Sequence, residues 1–419
     1  MTVDWLDRNA PKLARISFFL YVFFLFFGTG LPFQDHPTEL LETPVSNPIN
    51  QYVFSALYLA SLLALLPVRT RTLQLARQEK FLTFFLLWSL ASVFWSDFVF
   101  ISFKRWIQLL GMVVVFSAAL VHRDPGTGIL DDLKAVLFLY IPLSLAAVLL
   151  VSGATEPDFN AWRGFTSQKN MLGQSSLAGL IVLTLSLRED VSWNRVATCL
   201  LWCMTLVLLL GSRSTTSLLA GGILLFAAVV LHAERTLLRP FAGGMISFLT
   251  VLAFLLSPVL ILFLEPTVLD SIFMEFGKDM TFTNRVDIWA NVFDDAKRHL
   301  LVGCGFDGYW VPGTTEMDLM FKNLQFIINQ GHLGYLDILN ETGVVGLGIV
   351  ASMVIHYLKN LVIGENEEPW KWFVFAALIV NFQESTIFRL HSVNGALFVF
   401  SYLALFAGAV QRLSPPGES

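Results

Sequence analysis

The sequence has little charge. Of its 419 residues only 14% are charged and 55% are apolar, whereas soluble proteins carry roughly a quarter charged residues. This shortage excludes a soluble globular enzyme. The formal net charge of -5 also excludes the basic surface that nucleic acid requires. What the chain has instead is a series of apolar runs, many of them close to the ~20 residues that cross a bilayer.

Cysteine is scarce as well. Cys199 and Cys203 lie one helical turn apart in an apolar run and Cys304 stands alone, so we expect no disulfide framework and no metal site. No phosphate-binding loop, dinucleotide fingerprint or nucleophile elbow is present, and we expect no cofactor. The glycines of Gly303-x-Gly305-x-x-Gly308 have dinucleotide-loop spacing, but they follow a helical pattern rather than a strand, so we do not interpret them as a nucleotide site.

The apolar runs predict an all-α polytopic membrane protein with about twelve transmembrane helices. We place the spans near residues 14–31, 52–67, 81–95, 106–121, 133–151, 170–187, 196–210, 216–231, 243–264, 342–358, 371–388 and 393–410. The first run lacks a small-residue cleavage site and is interpreted as a retained span. Three regions follow: nine spans in 1–264, a large loop in 265–340, and three spans with a tail in 341–419.

Lysine and arginine concentrate in the tails and short loops on the side of the N-terminus. This bias predicts that both termini are cytoplasmic and that the 265–340 loop faces outward, to the periplasm of a Gram-negative cell. A loop of this length is seldom a passive connector. Within it we predict one helix that starts at Asn284 and ends before Gly303, and a second that starts near His332 and continues into the tenth span.

Several polar residues stand on the predicted outer side against this charge bias: Arg163, Lys169, Asn170, Arg213 and Arg285. Lys169 and Asn170 begin the sixth span, and Arg213 lies just before the eighth. Cations beside the free N–H groups of a helix start suit a phosphate ligand. The alternative for each arginine is that it reaches for lipid headgroups at the membrane edge.

His332 is the best candidate for proton transfer, because imidazole changes its charge near working pH. Gly331 and Gly334 flank it and are expected to leave room for a substrate beside the ring. A lone histidine is more often structural, and that alternative stays open. Asp337 lies on a different helical face and is not an obvious orienter of the ring. Glu341 enters a span, which favours a function or a buried pairing.

The order of these motifs resembles the O-antigen ligase and polysaccharide polymerase superfamily over roughly residues 80–405. The resemblance rests on Trp162-Arg163-Gly164-Phe165 with Lys169-Asn170, Gly211-Ser212-Arg213-Ser214-Thr215, Asn284-Arg285-x3-Trp289, Gly303-x-Gly305-Phe306, and Gly331-His332-x-Gly334-Tyr335-Leu336-Asp337-x3-Glu341-x-Gly343. Leu333 replaces the asparagine that usually follows the family histidine. Gln168 stands where the polymerase subgroup often has histidine.

The resemblance implies a metal-independent glycosyltransferase in the bacterial inner membrane. Such enzymes take a glycan from an undecaprenyl pyrophosphate carrier and pass it to a carbohydrate acceptor (polymerases) or to lipid A-core (ligases), in company with partners such as a flippase and a chain-length regulator. By position, His332 matches the histidine that activates the acceptor hydroxyl, and Arg163 and Arg285 match arginines that hold the pyrophosphate. The Gly-Tyr-Leu-Asp run after His332 favours the polymerase.

Two other classes of function remain open from the residues. The number of spans also suits a transporter or flippase of lipid-linked glycans, although transporters usually show internal repeats and charges near the membrane midplane. A scaffold for an envelope complex is the other alternative, but it leaves the outer arginines unexplained.

Overall fold

The computed structural model describes residues 3–28, 48–124, 128–156, 160–189, 193–233, 281–311, 314, 330–363, 369–390 and 392–413. This part of the chain is almost entirely helical, which confirms the predicted all-α class. Its α-helices are α1 (Val3–Phe27), α2 (Pro48–Leu65), α3 (Arg69–Gln78), α4 (Lys80–Ser92), α5 (Val99–His122), α6 (Leu130–Leu150), α7 (Lys169–Glu189), α8 (Trp193–Gly211), α9 (Thr215–Ala233), α10 (Thr281–Ala296), α11 (Gly334–Ile363), α12 (Lys371–Val380) and α13 (Val393–Leu413).

The remaining described elements are short. They are the 3₁₀ turns Val93–Trp95, Ser152–Ala154 and Lys297–His299 and the antiparallel strands β1 (Thr155–Glu156) and β2 (Ala161–Trp162). The register pairs Thr155 with Trp162 and Glu156 with Ala161. This small hairpin precedes α7. It therefore holds in place the connection to that helix, which carries Arg163.

Several helices are long and apolar enough to cross a bilayer, so the chain is a multi-pass membrane protein. Among the described helices, six are long and apolar enough to cross a membrane, namely α1, α5, α6, α7, α8 and α11. α4, α9, α12 and α13 are shorter apolar helices, and α2 and α3 form a pair bent by 103°. The ninth predicted span, 243–264, lies outside the described residues, so the total of twelve stays a prediction.

The eleventh predicted span differs from its prediction. The apolar run suggests a helix over 371–388, but α12 ends at Val380 and turns follow. The cause is Asn381, whose side-chain Oδ1 accepts hydrogen bonds from the backbone N–H groups of Thr386 and Ile387 at 3.0 Å each. These bonds fold the chain back on itself. We call Asn381–Leu390 the junction segment.

α11 is broken at Gly343, where φ is 70°. The chain just after α10 fills the break with its own backbone groups. The N–H of Val344 donates to the carbonyl of Leu300 at 2.8 Å, and the N–H of Cys304 donates to the carbonyl of Asn340 at 2.9 Å. Backbone groups that lose their helical hydrogen bonds at the break therefore bond to the neighbouring loop instead.

The two helices predicted in the large loop are confirmed. α10 begins at Thr281 rather than Asn284, and α11 begins at Gly334, directly after the turn that contains His332. The predicted border at 340/341 consequently falls inside α11. The other predicted border, at 264/265, lies outside the described residues.

Several connections meet at one end of the helix bundle, which we call the His332 end. The indole N–H of Trp95, between α4 and α5, donates to the carbonyl of Gly303 at 3.1 Å. At the start of α9, Thr216 Oγ1 donates to Gln383 Oε1 of the junction segment at 2.8 Å. The start of α7 reaches the same segment through Asn170. Residues far apart in sequence are thus collected around one polar region.

Candidate active site

His332 lies in the turn before α11 and faces the junction segment. Its Nδ1 is 3.2 Å from Glu384 Oε2 and 3.3 Å from Gln330 Nε2. The histidine side chain is 25% exposed, whereas that of Glu384 is 2% exposed. The site therefore pairs a buried carboxylate with a histidine that solvent still reaches.

The carboxylate determines which nitrogen of the ring carries the proton. An ionised carboxylate only accepts hydrogen bonds, so Nδ1 of His332 donates to Glu384 when the ring is neutral. Nε2 is then the basic nitrogen. Among the described residues Nε2 makes no hydrogen bond, since the ring contacts run through Nδ1. This is the arrangement that a general base needs.

Glu384 is held by more than the histidine. Asn170 Nδ2 donates to its Oε1 at 2.7 Å, and Gln330 Nε2 donates to its Oε2 at 3.0 Å. The structure thus brings two of the predicted site residues, His332 and Asn170, to one carboxylate. The Asn170 Nδ2 group donates to protein here, so its predicted contact with a pyrophosphate would need the second N–H of that group or a change of partner.

Arg163 lies on the connection before α7, and Lys169 is the first residue of that helix. The Nε of Arg163 donates to the carbonyl of Gly153, which fixes the guanidinium against the 3₁₀ turn. The backbone N–H of Lys169 donates to Glu156 Oε1 at 2.6 Å. A protein carboxylate therefore occupies the helix start that the sequence suggested for a phosphate.

Arg213 stands directly before α9 in a left-handed backbone conformation, with φ 49°. It is exposed, and its guanidinium has no hydrogen-bond or ion-pair partner within the described ranges. Trp162 lies against Gly211, which brings the β2 chain next to this turn. Arg213 is more exposed than Arg163 and Lys169, the other predicted cations whose side chains the structure describes.

Arg285 belongs to α10, one turn before Trp289. The indole N–H of Trp289 donates to the carbonyl of Gly331 at 2.9 Å, next to the catalytic candidate. Ile288, Val292 and Leu336 form a small apolar core to which Leu333 adds. The residue that replaces the family asparagine thus helps to seat α10 beside the site.

The two glycines around His332 do not leave the space that the sequence suggested. A Cβ at Gly334 would collide with the Asn381 amide group, and one at Gly331 would collide with the Asp337 carboxylate. That expectation is wrong for this reason: the glycines make room for protein side chains rather than for a substrate.

A buried charge cluster lies next to the site. Arg389 of the junction segment pairs with Asp307, with Glu341 at 2.7 Å and with Asp337 at 3.4 Å. Arg105 of α5 also pairs with Asp307, at 3.4 Å. Burial alone would lower the pKa of Arg389, but the three carboxylates raise it above its ordinary value. Of the two alternatives for Glu341, a function or a buried pairing, the structure shows the buried pairing.

Sequence reasoning missed Glu384 and Arg389 as parts of the site region. Glu384 lies inside the predicted eleventh span, 371–388, and Arg389 lies directly after it. The signal was present in the run Asn381-Phe382-Gln383-Glu384-Ser385-Thr386. An acid within a supposed span is costly in lipid and marks either a function or a buried pair.

Comparison with known proteins points to the same family as the sequence motifs. A family model described as O-antigen ligase matches residues 199–351. The exopolysaccharide production protein ExoQ of Rhizobium meliloti (strain 1021) is 26% identical over 336 residues, which cover 76% of this chain and 74% of that protein. The match to ExoQ is long enough to extend well beyond the family model.

The apolar helices, the polar His332 end and these two matches define a multi-pass membrane enzyme that acts in polysaccharide synthesis. More narrowly, the chain is similar to the O-antigen ligase and polysaccharide polymerase superfamily, as its sequence motifs predict.

Proposed function

We propose that this protein is a glycosyltransferase that moves a glycan from an undecaprenyl pyrophosphate carrier to an acceptor hydroxyl. The observation that carries the proposal is the contact between His332 Nδ1 and Glu384 Oε2 at 3.2 Å, which leaves Nε2 available as a base. The proposed location is the bacterial inner membrane, with both termini in the cytoplasm and His332 on the periplasmic side, in keeping with the distribution of Lys and Arg.

In the proposed reaction, Nε2 of His332 accepts the proton of the acceptor hydroxyl. The acceptor oxygen forms a bond to the anomeric carbon of the donor glycan, and the bond between that carbon and the pyrophosphate oxygen breaks. Undecaprenyl pyrophosphate leaves with the bonding electron pair. Glu384 keeps the ring oriented and stabilises its positive charge once Nε2 is protonated.

The leaving group carries negative charge that must be neutralised. Arg163, Arg213 and Arg285 are the proposed source, because guanidinium groups bind phosphate oxygens in a bidentate manner without a metal. Lys169 and Asn170 are proposed to contribute at the start of α7. Arg213 is supported by its exposure, and Arg285 by the anchoring of α10 at Gly331.

A repeat-unit polymerase is favoured over a ligase. The support is the similarity to a protein whose name refers to exopolysaccharide production. The ligase remains the second candidate, supported by the family model described as O-antigen ligase. Both require one lipid-linked donor and one hydroxyl acceptor, so the acceptor is what an experiment must vary.

The test uses the full-length protein in nanodiscs with the undecaprenyl-pyrophosphate-linked repeat unit isolated from the native host. We expect the wild-type protein to lengthen the glycan without any ion gradient, as seen by mass spectrometry. The variant His332→Gln should form no product longer than the donor repeat unit. The matched control is His299→Gln, since His299 bonds to Asn340 Oδ1 at 2.8 Å and glutamine can still donate to that oxygen.

The outcomes separate the candidates. Longer glycans on the carrier support the polymerase, whereas product only after addition of lipid A-core supports the ligase. Movement of the donor across the bilayer without a new glycosidic bond would support a flippase instead. Normal product from His332→Gln would overturn the proposed role of the histidine.

A further inference from the structure

Asp337 is a buried carboxylate in the first turn of α11, and it is almost completely enclosed. The residue is 1% exposed and accepts hydrogen bonds through both oxygens. Oδ1 accepts from the indole N–H of Trp310 at 3.1 Å. Oδ2 accepts from the backbone N–H of Gly331 at 3.2 Å and from the hydroxyl of Ser385. Three donors from three segments of chain therefore meet at one side chain.

Two of these donors are the immediate neighbours of the proposed catalytic pair. Gly331 directly precedes His332, and Ser385 directly follows Glu384. One carboxylate oxygen thus joins the two stretches of backbone that must stay close for His332 to reach Glu384. Each stretch is a turn outside any helix or strand, so the hydrogen bonds of regular secondary structure do not hold it in place.

The backbone of His332 makes such a link necessary. Its φ of 50° lies in the left-handed region, which residues other than glycine adopt only when their surroundings hold them there. The bond from Gly331 to Asp337 fixes the chain on one side of this residue. On the other side, the N–H of Gly334 donates to the carbonyl of Asn381 at 2.8 Å.

A simpler role for Asp337 would be neutralisation of Arg389. The distances argue against that as its main role, because Arg389 Nη2 lies 3.4 Å from Asp337 and 2.7 Å from Glu341. Arg389 also pairs with Asp307. The contacts of Asp337 with Gly331, at 3.2 Å, and with Ser385 are shorter than its contact with Arg389.

We propose that Asp337 is a positioning residue that sets the distance between His332 and Glu384 by binding Gly331 and Ser385 together. This proposal rests on the proposed function of His332.

The test is Asp337→Asn in the nanodisc assay described above, with the same lipid-linked repeat unit as donor. An amide offers one accepting oxygen, so in either orientation its NH₂ group faces the N–H of Trp310 or that of Gly331. We expect kcat to fall roughly 100-fold, as for a displaced catalytic group. The KM for the lipid-linked donor should change by less than about threefold, because the cations proposed to bind it are untouched.

Glu341→Gln is the matched contrast. Glu341 is also a buried acid of α11 that pairs with Arg389, but its hydrogen bonds go to Arg389 and to the N–H of Asp307 at 3.1 Å rather than to the neighbours of His332. Both variants are compared at equal amounts of folded protein, after size-exclusion chromatography and thermal unfolding. Positioning predicts a loss of kcat at least about tenfold larger for Asp337→Asn than for Glu341→Gln, at comparable unfolding midpoints.

Three results decide the matter. A selective loss of kcat in Asp337→Asn, with His332→Gln inactive, supports the positioning role. If His332→Gln is inactive but Asp337→Asn keeps wild-type kcat, or loses activity only in step with Glu341→Gln, the positioning role is overturned and the proposed function stands. If His332→Gln is active, both fail.

Discussion

α5 has an arginine near each end, and the two belong to charge clusters of different kinds. Arg105 and Arg123 are separated by about 27 Å along the helix. Arg123 joins Arg15 on the single carboxylate of Asp132, and so ties α1, α5 and α6 together. Arg105 joins Arg389 in the cluster with Asp307, Glu341 and Asp337 at the His332 end.

The two clusters differ in the parts of the chain that they contact beyond their own ion pairs. The Asp132 cluster has one acid and two arginines, of which Arg15 is 62% exposed on its side chain. Within the described residues, its ion pairs link only the helices α1, α5 and α6. The cluster around Arg389 shares Asp337 with the turns that carry His332 and Glu384. Charge in an apolar protein can thus serve packing alone at one end and also organise a reactive site at the other.

The largest expected effect comes from Arg389→Ala. The change leaves the carboxylates of Glu341, Asp307 and Asp337 without their main counter-charge, which should cost about 3–5 kcal/mol of folding stability. Yield of monodisperse protein and the thermal unfolding midpoint in detergent measure it. An unfolding midpoint equal to that of the wild type would show that the cluster tolerates an uncompensated buried charge. The two charge clusters would then not differ in their importance for stability.

Glu384→Gln should act on catalysis more than on stability. Loss of the negative charge removes the stabilisation of protonated His332, and kcat should fall roughly 100-fold. The matched control is Gln383→Ala, which removes the bond to Thr216 from the neighbouring residue; its kcat should stay within about threefold of the wild type. Equal losses in the two variants would mean that the junction segment matters only as a structural support.

Gly343→Ala tests the break in α11. A side chain at this position must adopt a positive φ and meets the backbone of Leu301, so we expect a loss of about 1–3 kcal/mol. Gly348→Ala is its control in the same helix, because a Cβ there meets nothing within 4 Å. The control should be neutral or slightly stabilising. The reverse order of unfolding midpoints would contradict the observed break.

Arg15→Ala should have the smallest effect. Its side chain is largely exposed and Asp132 keeps Arg123 as a partner, so the expected loss is below about 1 kcal/mol. The unfolding midpoint, measured beside that of Arg389→Ala, provides the check. A loss as large as that of Arg389→Ala would erase the distinction between the two clusters.

The sequence was sufficient for the features that repeat along the chain. Apolar runs identify helices because burial in lipid needs a continuous length of side chains. The starts of α7 and α11 were also predictable, since Lys169 and Gly334 follow polar turns at the edge of such runs. His332 stands out by the chemistry of imidazole and by the Gly331-His332-x-Gly334 motif around it.

The partners of His332 could not be found in this way. Glu384 lies 52 residues further along the chain, and no local rule brings it back to the histidine. The return depends on the side chain of Asn381, which ends α12 early, and on the proposed role of Asp337, which by helical spacing is not an obvious orienter of the ring. Helical spacing describes only contact with the ring itself, whereas Asp337 accepts a hydrogen bond from the backbone next to the ring.

The break in α11 has a consequence for how the protein is made. The chain from Leu300 to Gly305 is synthesised before α11 and supplies the backbone partners for the groups freed at Gly343. In lipid such groups cost several kcal/mol each when unpaired. We therefore expect insertion of α11 to be coupled to docking of the preceding loop, and the site to be complete only after the junction segment that follows α12 has brought Glu384 to His332.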